Sequence, residues 1–454
     1  MSKKKVSRRA FLRSGTVGLA VGGALARGTT GVARPVSGSP KLAVNGGKPV
    51  RTDPFPGWPQ LRADEERQLV DVLESGRWFR NDGNRVTQLE SALAEVFGAR
   101  HALATASGTT ALLAALVACD VQAGDEVLVS SYSFIASSSV IFQLNALPIF
   151  VDSDPDTFLL DPGLIEDKIT ERTRAIVPVH HGGYPCDMDA IMAIARKHKL
   201  AVVEDACQAH LAQYRGKTVG TIGDLGCLSF QVSKNLPCGE GGACLGDDEE
   251  LVDHCRWYHD IGINRKKDAG YLIDIPGTNF RMTEFQGAIL QEQLTGLEKR
   301  AIHRQSNVDY LCEMLEGLDG FAPAKFVDGA TRGGYYNFHA RIHREKFKGL
   351  SRDRFLRALG AEGIPCWGSW PRPLNLEPCV QKSIESRGFR RLFPSEYLDE
   401  YSRNQHSPVS EELCRSMVVI SQECFLGPRG DMEQIAEAIR KIYEAAETIG
   451  SGSA

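Results

Sequence analysis

The stretch SFQVSKNLPCGEGG, residues 229–242, sets Lys234 after a short apolar alternation and before a glycine-rich turn. A strand end aims a side chain rigidly and the glycines leave room for a ligand, so an amine held there can serve as a nucleophile. Asp205 stands 29 residues earlier, closing the apolar run LAVVE, where a carboxylate is costly to bury unless a cation or a donor meets it. Further upstream, Ser107-Gly108-Thr109-Thr110 follows the run HALATA at the start of an apolar helix, and free N–H groups with the helix dipole suit an anion. SYSF offers Tyr132 and Phe134 as flat apolar surfaces. Taken singly, these are a solvated lysine, a helix cap and core aromatics. Their order along the chain is what carries information.

The elements that must position them alternate between strand and helix from about residue 40. DEVLVSSYSF, LPIFVDSD, RAIVPVHH, LAVVEDACQAH, LGCLSFQVSKN and GGACLGDD read as strands, several of them continuous apolar runs, as expected when both faces are covered. ALLAALVACD, IASSSVIFQLNA and DMDAIMAIARKH, the last begun by Asp187, read as the intervening helices. The class is α/β, a mostly parallel sheet sandwiched by helices. Ligands of such sheets sit beyond the carboxyl ends of the strands, which is where all four groups fall. An anion cradle, an aromatic face, a buried acid and a lysine at successive strand ends are the parts that hold pyridoxal phosphate.

Composition agrees with a large globular enzyme: 454 residues, 42% hydrophobic and 24% charged, enough for two or three domains. Net charge is −4 although the first 26 residues carry six cations and no acid, which disfavours nucleic-acid binding. The twelve cysteines form no C-x-x-C pair, several lie in apolar runs, and no metal site is expected. SRRAFLRSG pairs Arg8 with Arg9 ahead of the weakly apolar run GTVGLAVGGALA and a small-x-small site at Ala24-Leu25-Ala26. That run is too short and too rich in glycine for a membrane anchor, and the segment is similar to a twin-arginine export signal. The expectation is a signal over residues 1–26 with a linker to about residue 40, read by the twin-arginine translocation machinery. Export to the periplasm is the expected destination, with the cytoplasm as the alternative.

Residues 41 to about 445 resemble the DegT/StrS family of sugar aminotransferases. The resemblance rests on GRWFRNDGNRVTQLESALAEVFGARHALATASGTTAL, HGGYPCDMDAIMAIARKHKLAVVEDACQAH, GDLGCLSFQVSKNLPCGEGGACLGDDEEL and NFRMTEFQGAILQEQL. It implies a fold-type-I pyridoxal-phosphate-dependent transferase, with a large cofactor-binding domain over residues 41–295 and a smaller C-terminal α+β domain over 296–454, after a long helix at 281–312. By position it implies that Lys234 is the Schiff-base lysine and Asp205 the acid that keeps the pyridine nitrogen protonated. Gln208 falls near the ring's phenolic oxygen, Phe134 is the stacking aromatic, and Gly108, Thr109 and Ser229 contact the phosphate. Asn279 would reach the phosphate of a neighbouring subunit, implying a homodimer with shared sites. His180 matches a substrate-side histidine, whereas His181 and Tyr184 depart from the usual neighbours. The implied activity moves an amino group from glutamate or glutamine to a keto-sugar or keto-cyclitol, with the opening and the tail most like the branch acting on keto-inositols. Two other readings stay open: a sugar dehydratase of the same family, which has histidine in place of the lysine, and a relative that has lost turnover and only binds.

Overall fold

A computed structural model of the chain describes residues 41–265 and 272–447; the expected export signal lies outside the described residues. Residues from Pro40 onward form one compact unit. Its main sheet has seven strands: β1 His101–Thr105, β2 Glu126–Ser130, β3 Leu147–Val151, β4 Thr173–Val177, β5 Ala201–Asp205, β6 Leu225–Ser229 and β7 Gly242–Gly246. Their order is β1-β7-β6-β5-β4-β2-β3. The four pairings from β6 across to β3 are parallel and those of β7 with β6 and with β1 are antiparallel. β2, β6 and β7 are buried along their whole length, which accounts for their unbroken apolar runs.

Helices cover both faces. α1 Glu65–Ser75 and α2 Arg85–Phe97 precede the sheet; α3 Gly108–Ala118, α4 Ala136–Gln143 and α5 Met188–His198 connect its strands; α6 Glu249–His259 follows it. α3 is apolar all round because it packs on β6 and β7 and is itself covered by α4 and α6. α5 begins at Asp187, whose side chain accepts the Ala190 amide at 3.1 Å.

The single long helix expected at 281–312 is two: α7 Glu284–Leu294 and α8 Leu297–Leu315. They part at Gly296, where a side chain would strike the guanidinium groups of Arg300 (2.6 Å) and Arg62 (2.9 Å). Beyond α8 a second, antiparallel sheet is built from β8 Phe321–Pro323, β9 Asn337–Ile342, β10 Cys366–Gly368 and β11 Met417–Ser421, in the order β8-β9-β11-β10. α9 Arg352–Ala361 packs on it, and the helix Arg429–Glu444 packs against α8 and α9.

Candidate active site

The four strand-end groups converge on one cleft of about 490 Å³. At the end of β1, Ser107 caps α3: its Oγ accepts the Thr110 amide (3.2 Å) and Thr110 Oγ1 accepts the Ser107 amide (2.9 Å). The amides of Gly108 and Thr109 are the orphan donors of that first turn and face the cleft with the positive end of the helix dipole. A side chain at Gly108 would come within 2.7 Å of the Ser229 side chain and 2.8 Å of Cys207 Sγ, and one at Gly242 within 2.3 Å of the Ser107 carbonyl. Bare backbone is therefore required for the sheet to approach the helix start. The hollow so formed, with the Ser229 hydroxyl on its rim, fits a phosphate.

Asp205 closes β5 and is only 5% exposed. Its Oδ2 accepts the Ser137 hydroxyl at 2.7 Å and its Oδ1 the Cys207 amide at 3.2 Å. No Lys or Arg of the described residues pairs with it, so a buried carboxylate bordering the cleft has donors but no counter-ion. A protonated ring nitrogen supplies that counter-ion.

Lys234 is not at the strand end itself. β6 stops at Ser229, Gln231 bridges to Gly239, and Lys234 sits in the following turn with its amide on the Gln231 carbonyl (2.8 Å). Its Nζ lies 4.0 Å from the centre of the Tyr336 ring and borders the cleft. Phe134, 47% exposed, and Gln208 also border it; the Gln208 side-chain oxygen is fixed by the Gly182 amide at 2.8 Å.

Two expected residues lie elsewhere. His180 is fully buried behind the cleft, its Nε2 on Glu204 (2.9 Å) and its Nδ1 accepting the Cys186 amide (3.0 Å), so it has no group to spare for a substrate. The next residue, His181, lines the cleft instead. Burial, reinforced by the Lys234 charge, pushes its pKa down to about 3, so its imidazole stays neutral. Asn279 is exposed and outside its own chain's cleft, accepting the Arg281 amide at 3.3 Å. The sequence reading also missed Ser137, Tyr336, Trp367 and Trp370. A run of three serines after SYSF was the only local signal for the first; the others arrive from the second sheet, and nothing in their own stretches marks them.

This fold and this constellation define a fold-type-I enzyme that uses pyridoxal phosphate, which the α3 start, Asp205 and Lys234 would hold. The model of the DegT/DnrJ/EryC1/StrS aminotransferase family matches residues 59–413. An L-glutamine:2-deoxy-scyllo-inosose aminotransferase of Streptomyces paromomycinus is 36% identical over 88% of this chain and 97% of its own length. An L-glutamine:scyllo-inosose aminotransferase of Streptomyces griseus is 35% identical over 89% and 97%. Among solved structures, 3-amino-5-hydroxybenzoic acid synthase superposes with a TM-score of 0.78 at 31% identity, over 87% of this chain and all of that one. The chain belongs to the DegT/DnrJ/EryC1/StrS aminotransferase family.

Asp205→Asn tests the site's electrostatics. The amide keeps the Ser137 contact but cannot hold a ring nitrogen protonated, so transamination should fall by roughly 10² or more while the melting temperature changes little. Cofactor absorbance and thermal melts of the variant check this; wild-type turnover would remove Asp205 from the site.

Proposed function

We propose that the protein transfers the amino group of glutamine, or of glutamate, to the ring ketone of a cyclitol. The observation that carries this reading is the uncompensated, buried Asp205 bordering the same cleft as Lys234. The names of the relatives from Streptomyces paromomycinus and Streptomyces griseus support the choice of donor and acceptor. Pyridoxal phosphate, when bound, supplies the electron sink that lets a proton leave the α-carbon of the donor. The chain's own residues do the rest. Gly108, Thr109 and Ser229 would hold the phosphate, Phe134 would cover one face of the ring, and Asp205 would keep its nitrogen protonated. Lys234 Nζ would take the proton from the donor α-carbon and, in the half-reaction with the ketone, would return a proton to the acceptor carbon. A histidine at position 234 would be needed for the dehydratase reading, and the lysine argues against it. Incubation with glutamine and a panel of keto-inositols and keto-sugars, with amine formation followed by mass spectrometry, should yield an aminocyclitol. Amination of none of them would overturn the reading.

The same reading extends to a homodimer. Asn279 is exposed, and around it Arg281 lies over Phe79 (5.2 Å) and binds Asp260 (2.6 Å), the Ile261 amide bonds the Thr278 carbonyl, and Ile263 pairs with Ile273. Phe79, Ile261, Leu272 and Ile273 are all exposed, a surface suited to a second copy. If Asn279 completes the partner's phosphate site, mixing Lys234→Ala with Asn279→Ala subunits builds hybrids in which one site carries neither change. Activity should recover on subunit exchange from two poorly active preparations; no recovery would count against a shared site.

Export is the third part of the proposal, supported by the arginine pair and small-residue run within residues 1–26. A reporter active only after folding, fused behind these residues, should cross the membrane and should be held back when Arg8 and Arg9 both become lysine. Native protein confined to the cytoplasm with residues 1–26 still attached would refute it.

A further inference from the structure

The mouth of the cleft is lined by two indoles, Trp367 (44% exposed) and Trp370 (37% exposed). Large aromatic faces left half in water at a cleft mouth mark a surface made for an apolar contact. Trp367 is the central residue of β10, opposite Val419 of β11, so a sheet sets its direction. Trp370 is tilted against Phe134 with ring centres 5.8 Å apart, continuing the aromatic surface from the cofactor position outward. Between them Ser369 hydrogen-bonds the hydroxyl of Tyr132, which follows β2, so the segment is tied across to the main sheet. Gly368 allows this path, since a side chain there would lie 2.3 Å from the Arg352 guanidinium at the start of α9.

The charges around the cleft restrict what can lie on this surface. Among the described lining residues Lys234 is the one cation, and the neutral His181 adds no charge. A nucleotide-linked sugar would bring a diphosphate that needs cations of its own. Arg281, two residues from Asn279, and Arg265 share the single carboxylate of Asp260, each at 2.6 Å. An uncharged ring with hydroxyls at its edge and C–H bonds on its face fits both the indoles and the shortage of cations.

We propose that Trp367 and Trp370 form the platform on which the C–H face of a free, uncharged cyclic polyol acceptor lies. The inference rests on the proposed function and adds the acceptor's charge class and the residues that select it. The two half-reactions separate it from a general effect on the cofactor. In the pyridoxal-phosphate-loaded enzyme, Trp367→Ala and Trp370→Ala should each raise the KM for a keto-inositol about tenfold, the scale of one well-packed aromatic contact. The single-turnover reaction with glutamine, read from the cofactor's absorbance, should lose far less. Trp367→Phe should recover most of the loss, since it keeps a flat face. Titration with unreactive myo-inositol gives a readout without turnover: tryptophan fluorescence should shift in the wild type and lose most of that shift in the double Phe variant. Equal loss in both half-reactions, an unchanged acceptor KM, a myo-inositol response indifferent to both substitutions, or preference for a nucleotide-linked keto-sugar would each overturn the platform. Failure of the wild type to aminate any cyclic ketone would instead overturn the proposed function, and the fluorescence titration would still decide whether the indoles bind a polyol.

Discussion

The site is organised around a carboxylate that never touches the ligand. Glu204, fully buried in β5, accepts the amides of Gly220 (2.7 Å), Ile222 (2.6 Å) and Gly223 (2.7 Å) and the Nε2–H of His180 (2.9 Å). Burial alone would raise its pKa, but the His180 bond and the backbone donors outweigh that and hold it below the usual carboxylate range. Four donors from two separate loops are thereby tied to one point of one strand. Because successive side chains on a strand alternate in direction, Glu204 facing the loops sends Asp205 to the other side, where the cleft is. A slip of one residue would exchange the two carboxylates, and the buried donors left behind would make that slip costly. The backbone repeats the constraint: the Asp205 amide bonds the Pro178 carbonyl (2.9 Å) and its carbonyl takes the His180 amide (3.1 Å).

This explains why His180 reads in the sequence as a site residue and is found behind the site. The family resemblance alone put His180 on the substrate side, and only the partners of its two nitrogens reveal that it serves Glu204. What faces the cleft is decided by the turn that follows. Gly182, with φ at 67°, admits no side chain there, because a Cβ would fall 2.3 Å from the His339 ring. His339 in turn packs against His181 (ring centres 4.9 Å) and is stacked on Tyr184 (5.6 Å). The departures HHGGY are thus one packing solution, a set of rings that presents a neutral imidazole to the ligand.

The main sheet was legible because its strands are buried on both faces, so hydrophobic runs alone mark them, and its chemistry sits at strand ends whose order the sequence preserves. Lys234, Asp205, Gly108 and Phe134 could be placed on that basis. The residues supplied by the second sheet could not. Tyr336, Trp367 and Trp370 lie more than a hundred residues from the lysine they surround, on or beside short strands of the second sheet, and only the packing of one sheet on the other brings them near. The break at Gly296 was hidden for a related reason: the groups that crowd it, Arg300 and Arg62, are brought there by packing, and Arg62 is more than two hundred residues away in the chain.

The second sheet does more than add walls. The turn that carries Lys234 is held from that side: the Ser233 carbonyl accepts the Gln422 amide nitrogen (2.6 Å), the Ser233 hydroxyl meets the Tyr336 hydroxyl (2.9 Å), and Asn235 Nδ2 donates to the Gly334 carbonyl (3.0 Å). Gln422 is itself met by Arg304 of α8 (3.4 Å), a guanidinium so enclosed that burial lowers its pKa to about 9. The Lys234 amine is therefore attached to β6 through four intervening residues, and its turn is fixed by contacts from residues 334–336 and 422. The main sheet alone places the anion hollow at the α3 start and the carboxylate of Asp205, because α3 packs on it and β5 belongs to it. It cannot by itself define where the amine goes, and the segments that fix the amine are continuous with those that bear the aromatic mouth. Under the proposed function, positioning of the lysine amine and recognition of the acceptor would both depend on the same docking of one sheet against the other.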